Sequence, residues 1–330
     1  MSSPSIGIVG SETLLGKELR ESLRVCSLKP AIQLIGADDE ESGKVLLEEE
    51  EATMITPLDE RNLASADIVM LAGSRESSRK AWSLLEQRND TPVIDLTRSL
   101  EDIGSARLTA PMAGTGSPGS GGPLLIAHPA AIALALFLPR LAPHQPRRIV
   151  ADIFEPASEY GQPAIDELHQ QTMKLFAFQT LPKAVFDTQI AYAMLPRYGA
   201  DSLHSLAQAE LTIERHLASL LASTASPMPS LRLSQAPVFH GYSMSIWVEF
   251  DAAVTVEELS ADFFVENVEM RGEDEEVPTN VGSAGQQGIA VGDVRADRNN
   301  PRAFWFWLTA DNLKLSVDNA IQVAETIWVD

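Results

Sequence analysis

The chain has 330 residues, 45% apolar and 22% charged, with 20 glycines and 20 prolines. That composition suits a globular protein of two domains and excludes disordered, collagen-like and low-complexity classes. Lys and Arg number 25 against 46 Asp and Glu, a formal charge of −21. Without a concentrated basic patch, so acidic a surface argues against nucleic acid and anionic membranes as partners.

A single cysteine, Cys26, forbids an internal disulfide and any zinc site built from several thiolates. The histidines His128, His144, His169, His204, His216 and His240 show no metal-ligand spacing, so no metal is expected. The start lacks a basic region followed by an apolar core. The longest apolar run, Ala130–Leu138, lies between Pro129 and Pro139 and is about half the roughly 20 residues of a membrane span. The expectation is a soluble, cytoplasmic protein.

In chain order, Ile6–Val9 reads as a strand and Leu14–Val25 as a helix, with Leu15, Leu19 and Leu23 on one face. Ile32–Ile35, Ile68–Leu71 and Val93–Leu96 are further strands, the last two separated by a helical pattern over Ser77–Gln87. The segment Gly114–Gly122 is a loop, Leu124–Ala127 a short strand, and Ala130–Leu138 a helix. This alternation predicts a parallel sheet with crossover helices. Beyond it come a strand over Arg148–Phe154 and helices over Pro163–Leu175 and Leu203–Leu221. Strands over Leu231–Phe239, Ser243–Phe250, Ile289–Val294 and Ala303–Thr309 follow, then a closing helix over Leu313–Ile327. The fold class expected is α/β: a Rossmann-type parallel-sheet nucleotide domain (1–127) plus an α+β dimerisation or substrate domain (128–311). The closing helix, 312–330, is expected to pack back on the first domain.

Three stretches bear on chemistry. Gly10–Gly16 lies between the first strand and helix, where backbone N–H groups and the helix dipole can hold a pyrophosphate. Candidate cofactor residues there are Gly10, Ser11, Thr13, Leu14, Leu15 and Gly16; Thr13 carries a side chain where many such loops have glycine, and a merely structural turn is the competing reading. After the second strand, Asp38, Asp39, Glu40 and Glu41 would repel the extra phosphate of NADP, while Asp38 could accept from the ribose of NAD; the alternative is a solvated acidic loop continued by Glu48–Glu51. Leu125–Leu134 carries a strand into a helix N-terminus, the usual seat of a nucleophile, yet Ala130 and Ala131 occupy it. That N-terminus with His128 is a candidate site for a small anion.

Two of these stretches, with four more, resemble the aspartate-semialdehyde dehydrogenase family end to end. Gly10–Gly16 resembles its nucleotide loop, and Ile126–Ala133 its I-A-N-P-N-C-S-T segment, which puts Ala131 on the nucleophilic cysteine. Glu155–Ser158 with Gly161 resembles Q-A-V-S-G-A-G, so Glu155 replaces the glutamine that orients the thioester. Ser234–Ser243 resembles V-R-V-P-V-x-x-G-H-S, placing Gln235 on the arginine for the substrate carboxylate and Tyr242 on the catalytic histidine. Val93–Glu101 resembles V-V-D-N-S-S-A-F-R, with Glu101 where the phosphate-site arginine belongs and Arg98 as a shifted source of charge. Asp311–Glu325 resembles D-N-L-R-K-G-A-x-x-N-A-V-Q-I-A-E and is the most specific of these. The resemblance implies an NAD(P)-type domain, a homodimer and, with Ala131, Glu155, Gln235 and Tyr242 at altered positions, a divergent non-catalytic paralogue.

Two functions follow as expectations. One is a dimeric scaffold or ligand-sensing protein with no acyl-enzyme chemistry, for which the segments Ile246–Val248 and Phe304–Trp307 supply either a sheet interface or ordinary core. The other is an NAD(P)-dependent oxidoreductase that acts on a small aldehyde by non-covalent hydride transfer, with Tyr242 as proton donor. Cys26 reads as a core thiol.

Overall fold

A computed structural model describes residues 3–37, 43–48, 51–86, 91–115 and 121–329. They form two compact units, one of residues 1–127 with 316–330 and one of residues 128–315.

In the first unit, β1 (Ser5–Val9) leads through Thr13 into α1 (Leu14–Val25), which starts there because the Thr13 hydroxyl accepts from the Gly16 N–H at 3.0 Å. Next come β2 (Ala31–Ile35), β3 (Val45–Glu48), β4 (Glu51–Met54), α2 (Glu60–Leu63) and β5 (Ile68–Leu71). Ser74 caps α3 (Arg75–Leu85), and β6 (Val93–Asp95), β7 (Arg107–Thr109) and β8 (Leu124–Ile126) complete the unit's strands. Six strands run parallel in the order β2-β1-β5-β6-β8-β7, meeting the expectation of a Rossmann-type sheet. The apolar runs of β1 and β5 are buried on both sides, as a helix-covered parallel sheet requires.

Two expectations are corrected here. Glu48 and Glu51 do not sit in a loop: they pair across the antiparallel β3–β4 hairpin, which has no apolar alternation to announce it. Asp38, Asp39, Glu40 and Glu41 lie outside the described residues, as do Glu49, Glu50 and positions 116–120 of the glycine-rich loop. Cys26 is not core either; it is the partly exposed C-cap of α1, its thiol donating to the Leu23 carbonyl at 3.2 Å.

The second unit opens with α4 (Pro129–Phe137), every residue of which is buried, followed by a 3-10 helix over Leu138–His144. β9 (Pro146–Glu155), α5 (Gly161–Phe176), α6 (Leu206–Leu221), β10 (Ser230–Gln235) and β11 (Tyr242–Phe250) come next. α7 (Val256–Ala261), β12 (Val268–Met270), β13 (Ile289–Ala296) and β14 (Ala303–Ala310) lead to α8 (Asn312–Val329), whose residues from Ser316 onward belong to the first unit. There Asn319 accepts from the Met112 N–H at 3.1 Å, and Glu325 accepts from the Ser27 hydroxyl.

The second sheet is mixed, in the order β10-β9-β11-β14-β13-β12. Its inner face packs on α4, where Phe137 stacks on Phe263 and meets Phe306 edge-on, each pair 5.1 Å apart. Strand alternation divides the two apolar segments singled out above: Ile246, Val248, Phe304 and Phe306 are core, while Trp247, Trp305 and Trp307 fall on the other face and are only partly buried. The expected strand over Leu231–Phe239 stops at Gln235, two residues before Pro237, which has no N–H for a ladder. The helix expected from Leu203 begins at Leu206 because Ser205 caps it.

Candidate functional sites

In the first unit, the turn after β1 brings Gly10, Ser11, Thr13 and Gly16 together at the carboxyl end of the strands. Gly10 has φ +82°, and a Cβ there would lie 2.3 Å from the Gly73 Cα; one on Gly16 would lie 2.2 Å from the Gly10 carbonyl oxygen. Backbone therefore crosses backbone at both glycines. Gly10→Ala is expected to destabilise the protein by about 2–4 kcal/mol, read from urea unfolding, because strain and clash act together.

Thr13, which the sequence set against a nucleotide, turns its hydroxyl inward: it donates within reach of the Gly10 carbonyl (2.9 Å) and the Ala72 carbonyl (2.7 Å) while capping α1. Its polar atom is thereby absorbed by the turn. Leu14 and Leu15 open the helix. Ser11 is the exception in this loop, being fully buried with a hydroxyl that has no hydrogen-bond partner. A buried orphan hydroxyl costs about 1–3 kcal/mol, and this one sits where a dinucleotide pyrophosphate would lie in such a loop. The residues present thus fit the group: Gly10 and Gly16 permit close approach, and Ser11 has a hydrogen bond to give.

The neighbouring turn after β6 is held by Asp95, which is fully buried and accepts from the backbone N–H groups of Thr97 (2.8 Å) and Leu100 (2.9 Å) and from the Thr97 hydroxyl (2.6 Å). Burial pushes its carboxyl above the ordinary aspartate range despite these bonds. Thr97 also meets Ser78 and Ser99, and Arg98 takes a left-handed φ of 60°.

In the second unit, three of the sequence-marked residues converge. Glu155, Gln235 and Tyr242 are each fully buried at the ends of β9, β10 and β11. The Glu155 carboxylate accepts from the Tyr160 hydroxyl at 2.9 Å, and the Tyr242 hydroxyl lies 3.5 Å from its other oxygen. Gln235 gives both amide hydrogens to backbone carbonyls, those of Glu155 (3.0 Å) and Ala236 (2.6 Å), and accepts from the Tyr198 hydroxyl at 2.5 Å. Burial first, and then the Glu155 charge, push the phenols of Tyr160 and Tyr198 well above the usual tyrosine range, so both remain proton donors. His204 stacks on Tyr160 at 4.1 Å, and burial lowers its basicity.

Ala131 is the second alanine of α4, its methyl group wholly buried. The helix N-terminus beside it is closed by the chain itself. His128 Nδ1 accepts from the Ala130 N–H at 3.3 Å, its carbonyl accepts from Ile132, and its own N–H donates to His216. His128 Nε2 faces the Glu159 carboxylate at 3.5 Å. An acceptor on Nδ1 puts the ring proton on Nε2, toward that carboxylate. With an acidic group beside it and two of its N–H groups bonded, this end does not offer the anion site expected from the sequence. Asn312 joins the same cluster, accepting from Ser158 and the Gly241 N–H.

Tyr160, Tyr198, His204, Glu159 and Asn312 carried no mark in the sequence reading, except that Asn312 falls in the closing motif. Residues 177–205, which supply Tyr198 and His204, have no periodic pattern. They are pinned instead by two buried side chains one turn apart on α5: Glu167 accepts from Val185 and Phe186, and Gln171 from Ile190 and Ala191.

Comparison with known proteins gives a consistent set of likenesses. The family model of the semialdehyde dehydrogenase dimerisation domain matches residues 139–315. A USG-1 protein homolog of Pseudomonas aeruginosa is 27% identical over 337 residues, covering 99% of this chain and 98% of that protein. An aspartate-semialdehyde dehydrogenase of Rickettsia bellii is 26% identical over 341 residues, with 98% and 97% covered. Among solved structures, a probable aspartate-semialdehyde dehydrogenase from Pseudomonas aeruginosa has a TM-score of 0.85 at 24% identity, covering 99% of both chains. Aspartate semialdehyde dehydrogenase II from Vibrio cholerae, complexed with ASA, has a TM-score of 0.86 at 21% identity over 100% of this chain and 99% of that one. The last two likenesses show the shared two-domain fold.

Proposed function

Because this chain belongs to the semialdehyde dehydrogenase family, we propose that it keeps the family's dimeric scaffold and nucleotide loop while lacking its acyl-transfer chemistry, serving as a scaffold or ligand-sensing protein. Ala131 carries the reading. It is the residue that the motif resemblance aligns with the nucleophilic cysteine, and a methyl group cannot attack an aldehyde or hold an acyl group. The neighbouring geometry supports it. Gln235, aligned with the carboxylate anchor, has no amide hydrogen left for a ligand, and Tyr242, aligned with the catalytic base, faces a buried carboxylate. A phenol in that setting is a poor base at neutral pH.

The same observation weighs on the alternative of direct hydride transfer with Tyr242 as proton donor. Such chemistry requires a nicotinamide group, which supplies or accepts hydride when bound. Gly10, Ser11 and Gly16 would hold its pyrophosphate in the first unit. Fluorescence titration with NADH and NADPH, followed by a screen of small aldehydes, separates the two: cofactor consumption abolished by Tyr242→Phe would replace the scaffold reading with an oxidoreductase.

Ser11→Ala makes the cofactor part quantitative. In the free protein it is expected to raise stability by about 1 kcal/mol, since an unsatisfied buried hydroxyl is removed. In the titration it is expected to weaken dinucleotide binding by about tenfold, the worth of one hydrogen bond to a charged group. A variant that changes neither reading would mean that the hydroxyl does not face a ligand.

A further inference from the structure

We propose that Asp297 sets the outer face of the second sheet for docking against a second copy of this chain, by holding the Trp247 and Trp305 indoles in one orientation before the copies meet. This rests on the dimeric reading above and adds to it the residue that organises the contact.

The family model that matches residues 139–315 is a dimerisation domain, and an apolar row crosses three strands within it. Register sets Val150, Trp247 and Trp305 side by side on β9, β11 and β14, with Arg295 beyond them on β13. Val150 and Trp305 are exposed and Trp247 is half-buried. A large side chain that can still rotate must be ordered on binding, which weakens association. Neither indole is left in that state. Each donates its N–H to the same oxygen, Asp297 Oδ2, at 2.9 and 3.0 Å. The other oxygen, Oδ1, accepts from the backbone N–H groups of Asn299 (2.7 Å) and Asn300 (3.1 Å). The Asp297 N–H in turn donates to the Ala303 carbonyl at 2.8 Å, so the clamp is itself held. The Asn299 bond first, and then the Trp247 indole, keep its carboxyl below the ordinary aspartate range.

Asp297 reaches that face because of a bulge. β13 and β14 keep one register from Ala290 to Gly292 and are one residue out of step from Arg295 onward. The extra residue lies between, where Asp293 takes a left-handed φ of 47°. Past it, Asp297 stands opposite Ala303, two residues from Trp305 and therefore on the same face. Without the insertion Ala296 would hold that place, and Asp297 would point to the other side of the sheet. The strained backbone at Asp293 thus re-aims one side chain, a known use of bulges.

The test measures self-association of the full chain by sedimentation, and the indole N–H signals after labelling with ¹⁵N-tryptophan. D297A, first shown to be folded by a cooperative melt, is expected to associate at least about tenfold more weakly than wild type. The signals of Trp247 and Trp305 are expected to move to the positions of water-exposed indoles, while that of Trp307, bonded to the Pro278 carbonyl, stays in place. A folded D297A that associates as tightly as wild type would overturn the proposal. So would weaker association with the Trp247 and Trp305 signals unmoved, because Asp297 would then act other than through the rings. Wild type sedimenting as a monomer would instead overturn the dimeric reading, whatever the indole signals do. Should D297A not fold, D297N serves: its carbonyl oxygen can hold the Asn299 and Asn300 N–H groups, but its NH₂ cannot accept from an indole. The same weakening and the same two shifts are expected of it, and wild-type association with both signals shifted would refute the role assigned to the clamp.

Discussion

Incubated with aspartate semialdehyde, NADP and phosphate, the purified protein is expected to produce no more reduced cofactor than buffer does, and intact-mass spectrometry is expected to find no acyl adduct. The resemblance implies a reaction in which a cysteine thiolate attacks the aldehyde carbon, hydride leaves the resulting thiohemiacetal, and phosphate displaces the thioester. At position 131 the first of these bonds cannot form. Removal of a catalytic nucleophile alone costs on the order of 10⁶ in turnover, and loss of further members of the same constellation adds little because they act as a unit. Restoring Ala131→Cys by itself is therefore expected to add one thiol, counted beside Cys26 after denaturation, without turnover. Restoring Glu155→Gln, Gln235→Arg and Tyr242→His as well is expected to recover part of the activity at best. The resemblance puts Glu101 where the phosphate-site arginine belongs, and Tyr198 still faces position 235. A healthy rate from the unaltered chain would remove the premise that Ala131 occupies the attacking position.

Much of the fold was legible because burial imposes a period. The helix read over Leu14–Val25 matches α1 at both ends, and Leu15, Leu19 and Leu23 share a face. The strands of the parallel sheet stood out as short apolar runs between helical patterns. The hairpin of β3 and β4, the three-residue β7 and β12 and the short α7 escaped notice because none is long enough to show a period, and an acidic run reads as loop whichever way it folds. At the site, motif resemblance marked Glu155, Gln235 and Tyr242, which do converge, whereas their partners did not announce themselves. Tyr198 meets Gln235 and Glu155, and His204 stacks on Tyr160, only through tertiary packing of an aperiodic strap. Imidazole beside a helix N-terminus, as at His128, suggests an anion site as one alternative. That its ring would instead cap the helix depends on its rotamer and on Glu159, which spacing does not encode.

The largest expected effect on assembly is from Trp305→Arg, which should turn a homodimer into a monomer. The family model spanning residues 139–315 names a dimerisation domain, and that span includes a sheet face with unusual aromatic content. On it, Trp247 pairs with Trp305 across β11 and β14, and Trp307 lies two residues further along. All three indole N–H groups are already bonded within the chain, Trp247 and Trp305 to Asp297 at 2.9 and 3.0 Å, and Trp307 to the Pro278 carbonyl at 3.0 Å. With their polar edges satisfied, the rings present apolar surface to whatever covers the sheet, and Trp305 is still 36% exposed. Aromatic residues of this kind dominate protein interfaces, often at 2 kcal/mol or more each, and a twofold interface loses two of them with one substitution. Arginine retains a donor for Asp297, so the fold is expected to survive, but it sets a charge beside Arg295, the residue opposite on β13. Sedimentation equilibrium is expected to show association weakened by at least about 100-fold in favour of monomer, with an unchanged cooperative melt of the isolated chain. A variant that remains dimeric at the same concentration would mean that the copies meet through another surface, and the tryptophan face would then need a different occupant.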